Sequence, residues 1–153
     1  MKYELTSETK KIGAVVLYRI KALRSVGDCK KGDLGGWIGK ESNLSQEGNA
    51  WVSGDAWVFG DAQVFGYAQV SGYAQVSGNA QVYGNARVSG DAQVFGRAQV
   101  FGDAWVSGDA RVSGDARVYG NTRVYGDAPT PNVTESECVS IGGKKYRLVE
   151  VKD

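Results

Sequence analysis

From Gly48 to Tyr125 the chain is written in blocks of six: Gly, a turn residue, Ala, a variable residue, Val, and a second variable residue. Thirteen such blocks follow one another without a slip. Val stands at every sixth position from Val52 to Val124, with Ala two residues before it everywhere except at Thr122. A helix is disfavoured, because Gly every sixth residue costs about 1 kcal/mol each and β-branched Val adds to that. In an extended Ala-x-Val-x segment the period is two. Ala and Val therefore share one face, and the two variable residues share the other. Gly followed by Asp or Asn then turns the chain, since these residues tolerate positive φ better than most. Many identical short strands with one inward pair fit a stack of coils better than an antiparallel meander. The frame reaches back in weaker spelling through Gly36-Trp37-Ile38 and Ser42-Asn43-Leu44, with two extra residues entering a corner within Gln46–Asn49.

Val-x-Gly-Asp-Ala-x resembles the hexapeptide repeat of the left-handed parallel β-helix superfamily, over about residues 36–127. The resemblance implies an all-β fold with left-handed winding and three blocks, hence 18 residues, per coil. Residues 36–125 then make about five coils, a prism roughly 24 Å long at ~4.8 Å per coil. The segments Tyr18–Leu23, Lys31–Ile38 and Asn43–Gly48 resemble the leader of uncharacterised bacterial and phage-associated hexapeptide proteins. No activity travels with that likeness.

Rods of this kind expose strand edges at their ends, which need caps. Residues 1–35 read as an N-terminal β cap: YELT (3–6) and VVLYRIKAL (15–23) are strand-like around a turn-like TSETKKIGA. Residues 128–153 read as a linker and a C-terminal hairpin built from Cys138–Ile141, Gly142-Gly143 and residues 144–151. The hairpin either caps the far end or folds back along the rod. In the second case Cys29 and Cys138 could approach within the ~7 Å that a disulfide needs.

With 18 residues per coil, the variable positions sort into three faces. The residue after Val is Ser53, Ser71, Ser89, Ser107 and Tyr125 on the first, and Phe59, Ser77, Phe95 and Ser113 on the second. On the third it is Phe65, Tyr83, Phe101 and Tyr119, an unbroken aromatic column, with Gln63, Gln81, Gln99 and Arg117 beside it. Such a stripe either stabilises the stack itself or is a contact surface. Trp51, Trp57 and Trp105 precede Val on the first two faces. They read as a sugar- or protein-binding platform, or as a cover for coils beneath the N-terminal cap. Arg87, Arg111, Arg117 and Arg123 gather toward the C-terminal coils, where corner residues Asp91, Asp103, Asp109 and Asp115 are expected to pair with them.

The superfamily resemblance suggests an acyltransferase, whose general base is typically a His in a pocket between subunits, closed by an extruded loop. This chain has no His, and its thirteen blocks carry no insertion. The carbonic-anhydrase branch needs three His ligands and is excluded. A cysteine nucleophile would lack its usual activating base, and the glycines lead into strands, unlike a phosphate-binding loop. Asp55, Asp91 and Asp109 share a corner column, but Tyr73 interrupts it. A Ser row without Thr makes a poor ice-binding face. No catalytic residue, metal or cofactor is therefore expected.

With 18 Lys and Arg against 17 Asp and Glu, the net charge is +1. Nothing in that balance calls for nucleic acid or a membrane surface as partner. The opening MKYELTSETKK is charged where a signal peptide needs an apolar core, and no run is long enough to span a bilayer. A cytoplasmic location is expected. The function expected is a non-catalytic, rigid scaffold or binding module that self-associates, as a trimer or dimer, through its aromatic face, with a protein partner as a further expectation. The alternatives are an acyltransferase-like protein with a non-standard site, and a phage-associated counter-defence protein that binds a host protein or small nucleotide signal.

Overall fold

The computed structural model describes residues 1–124 and the backbone of the strands Cys138–Ile141 and Lys144–Arg147. Thirteen two-residue strands, β4 (Trp51–Val52) to β16 (Arg123–Val124), recur every six residues and build a parallel β-solenoid. Each from β4 to β13 pairs in register with the strand eighteen residues on: Gln63 with Gln81, Arg87 with Trp105, Val100 with Val118. Three sheets result. One carries Val52, Val70, Val88, Val106 and Val124; a second Ile38, Val58, Val76, Val94 and Val112; a third Val64, Val82, Val100 and Val118. Every one of these Val residues, and every repeat Ala from Ala50 to Ala116, is buried in one continuous core. The expected all-β solenoid of about five 18-residue coils is what the chain forms.

The corner glycines take positive φ, for example 67° at Gly84. A Cβ at Gly84 would lie 2.9 Å from the Gly102 nitrogen on the next coil, so this corner has no room for a side chain either. Thr122, the one departure from Ala, is buried, and its hydroxyl donates to the Tyr119 carbonyl.

The N-terminal cap is a hairpin of β1 (Tyr3–Ile12) and β2 (Val15–Ala22), joined to the solenoid through β3 (Leu34–Ile38), which pairs antiparallel with β2 and parallel with the strand at Trp57. The turn is tighter than the sequence suggests. Thr6–Ile12 continue β1, and the reversal is made at Gly13, φ 60°. The polar run TSETKK reads like a loop because little of it is buried, and pairing with β2 holds it extended. Gly35 and Gly36 pass so close to the first coil that added Cβ atoms would sit 2.6 Å from the Val52 carbonyl oxygen and 2.7 Å from a Val52 methyl.

At the other end, β17 (Cys138–Ile141) and β18 (Lys144–Arg147) form a hairpin, and β17 pairs antiparallel with the strand at Arg117. The hairpin thus extends the third sheet at the far end of the rod and does not fold back onto the N-terminal cap. Cys29 is a free thiol at the opposite end. The expected linker, with both prolines, and Tyr125 lie outside the described residues.

Candidate functional site

Stacking at an 18-residue period brings the predicted aromatic column together. The rings of Phe65 and Tyr83 lie 4.8 Å apart and 4° from parallel, Tyr83 and Phe101 5.0 Å and 3°, Phe101 and Tyr119 5.4 Å and 14°. The ring faces within the column are covered by their neighbours, so between its ends it presents ring edges to solvent, and its rings are half-buried. Gln63, Gln81 and Gln99 run beside it on the same sheet, in direct register. Across these three coils the outward positions of this sheet carry no charge. Arg117 closes the row.

The tryptophans do not form one platform. Trp51 is buried, with Tyr3 packed edge-on at 6.4 Å. Trp57 is half-buried, with the Lys10 ammonium 5.5 Å from its ring centroid and 4.7 Å from that of Trp37. Both thus serve as the floor on which the N-terminal hairpin sits. Trp105 stands apart, 39% exposed, held between the guanidinium groups of Arg87 at 5.3 Å and Arg123 at 4.5 Å. Residues eighteen apart meet face to face, so these two arginines stack on the indole rather than reach a corner Asp. Among the described residues the acid–base contacts are Arg97–Asp115 at 4.0 Å, Lys40–Asp61 at 2.8 Å and Arg19–Glu8 at 3.4 Å. The Lys40 ammonium beside Asp61 lowers that carboxyl's pKa.

Two residues that the repeat pattern did not single out organise the first coil. At the corners, backbone donors run from each coil to the carbonyls of the next, as in Asn85 N–H to Gly102 O at 2.8 Å. The first coil's carbonyls therefore face outward, and cations cap them. Lys2 Nζ donates to the Ala50 and Glu47 carbonyls at 2.7 and 3.2 Å, and Arg24 to the Gly48 carbonyl at 2.8 Å. These acceptors stand at the two-residue insertion: Ser45 pairs with Val64 and Asn49 with Gly66, four residues where the regular spacing is two. The Gln46 amide completes the latch by pairing with the backbone of Lys2 and Tyr3. Burial, with repulsion from Arg24, pushes the Lys2 pKa down to about 8. Burial and the nearby Glu41 push the Tyr3 hydroxyl up.

Asn43 is the second. The frame places Ser42 inward, but a 3-10 turn at Glu41–Asn43 buries Asn43 instead. Its amide donates to the Gly60 and Ala62 carbonyls, replacing backbone donors of a missing strand, while its oxygen accepts from the Gly39 and Lys40 amides. Nothing in the hexad pattern points to Lys2, Arg24 or Asn43, which act where non-repeating segments meet the first coil.

Among the described residues no side-chain hydrogen bond joins a hydroxyl or thiol nucleophile to a side-chain base. Burial and the carboxylates of Asp33 and Asp28 raise the Cys29 pKa, away from the reactive thiolate. Among the described residues no helix is long and apolar enough to cross a membrane.

Fold and surface together define a β-solenoid repeat protein whose distinguishing feature is an ordered aromatic–glutamine face. The family model described as YdcK Beta solenoid repeat matches the chain at residues 80–96, 98–114 and 110–126. No curated protein matches it.

Proposed function

We propose that this protein is a non-catalytic, rigid scaffold that associates with a second copy of itself through the face bearing Phe65, Tyr83, Phe101 and Tyr119. The observation that carries the reading is the unbroken aromatic stack, registered beside Gln63, Gln81 and Gln99. A flat row of edges and amides repeating about every 5 Å fits best against a surface with the same repeat, and another copy supplies one. The face also carries no charge over three coils, so two copies meet without like-charge repulsion. The first sheet carries Arg87 and Arg123 at the corresponding positions; the second, like this one, carries a single arginine, Arg111, in its last coil, but it lacks the continuous ring stack.

Multi-angle light scattering tests the reading. The parent protein is expected at a multimeric mass, Phe101→Asp at the monomer mass, and Ser89→Asp, on another face, at the parent mass. A parent that stays monomeric at high concentration overturns it.

A further inference from the structure

The aromatic column has a free end. Phe65 stacks on Tyr83 above it, but the position beneath, one coil earlier, is Ser45, whose amide pairs with the Val64 carbonyl at 3.0 Å. Where the repeat elsewhere sets a ring, this coil has a hydroxymethyl group. The result is an open notch of about 340 Å³ lined by Ser42, Ser45, Gln63, Val64 and Phe65. Its roof is the uncovered face of the Phe65 ring.

We infer that this notch is a stacking site for a neutral, planar heteroaromatic ring of nucleobase type, which would continue the column by one step. The spacing argues for planarity, because adjacent rings lie 4.8–5.0 Å apart and within 4° of parallel along the column's first three members. A flat ring continues that register face to face with Phe65. The lining argues for a heteroaromatic edge. Ser45 Oγ accepts from the Glu47 amide at 3.1 Å, which leaves its proton to donate. Ser42 adds a second hydroxyl and Gln63 an amide with both donor and acceptor. None of the lining residues is charged, so the site selects the ring and offers nothing to a phosphate. Base–aromatic stacking is a known source of affinity of the required size.

The test uses adenine as probe and saturation-transfer NMR on the full chain, with cyclohexanol as the non-planar control. Adenine is expected to bind with a Kd on the order of 1 mM, and cyclohexanol not to bind. Two variants that keep the fold by circular dichroism are expected to weaken adenine binding at least about 10-fold. Phe65→Leu removes the ring face, and Ser45→Phe fills the notch with a ring of the chain's own. Phe95→Leu, on another sheet, should bind as the parent does. Absence of saturation transfer to adenine overturns the inference, as does binding unchanged in both variants or equal binding of cyclohexanol. The notch shares Phe65 and Gln63 with the proposed self-association face but uses the end of the column, not its middle. Phe101→Asp alters the middle of the column and leaves the notch intact, so the two readings fail separately.

Discussion

Lys2 shows how a single residue answers for the end of the rod. A solenoid whose corner donors point from each coil to the next leaves corner carbonyl oxygens facing outward at its first coil, and a buried ammonium with two carbonyl acceptors satisfies two of them. The arrangement carries a charge penalty, since burial lowers the Lys2 pKa from 10.5 to about 8. Between those values the unfolded chain binds more protons than the folded one, so this group's contribution to stability rises with pH across that window. The penalty present below pH 8 is about 3 kcal/mol. Tyr3 acts in the opposite sense. Its raised pKa keeps it protonated in the fold while the unfolded phenol ionises above about pH 10. Thermal-unfolding midpoints are expected to climb from pH 8 to about 10 and to decline beyond it, and Lys2→Met should flatten the climb. Asn43 belongs to the same scale. It stands in a hexad-like frame, and only the 3-10 turn reveals that its side chain replaces two backbone donors.

At the scale of the element, the unit is the corner-plus-strand block, and its requirements are local. Gly84 needs positive φ and sits with its Cβ position 2.9 Å from backbone on the next coil. Gly84→Ala is therefore expected to cost at least about 2 kcal/mol, since positive φ alone costs roughly 1–2 and the neighbouring coil must also shift. Chemical denaturation would measure it, with an exposed substitution such as Asn85→Ala as the reference. The aromatic column was legible because an 18-residue period converts sequence spacing directly into vertical neighbours, so Phe65, Tyr83, Phe101 and Tyr119 could be aligned on paper. The extent of β1 was not legible. Its polar residues Thr9–Lys11 pair with β2 beyond a register shift that follows Leu5, and that pairing leaves no mark in hydrophobic periodicity.

The whole molecule is a stack in which each coil touches only its neighbours, so its weak points are its ends. The cap made by β1 and β2 covers Trp51 and Trp57, pairs with β3 and supplies the cations on the first-coil carbonyls. Deleting residues 1–33 is expected to expose that end and to give concentration-dependent assemblies larger than the parent's in light scattering, through edge-to-edge pairing. The same variant should melt at lower temperature. The proposed self-association through the aromatic face belongs to this scale too: Phe101→Asp is expected to change mass while leaving the coil register untouched.

The amino-acid sequence by itself determined the coil: Gly at the corners, Ala and Val inward, the 18-residue stack and the aromatic–glutamine face, because each follows from short-range periodicity repeated without interruption. Tertiary structure alone decided how the ends are closed. Which carbonyls Lys2 and Arg24 cap, that Trp51 lies beneath Tyr3, that Trp105 is held between Arg87 and Arg123, and that Ser45 leaves the Phe65 ring uncovered all depend on where non-repeating segments meet the stack. Those meetings are set by packing between residues distant in the chain, and a repeat carries no information about its own termination.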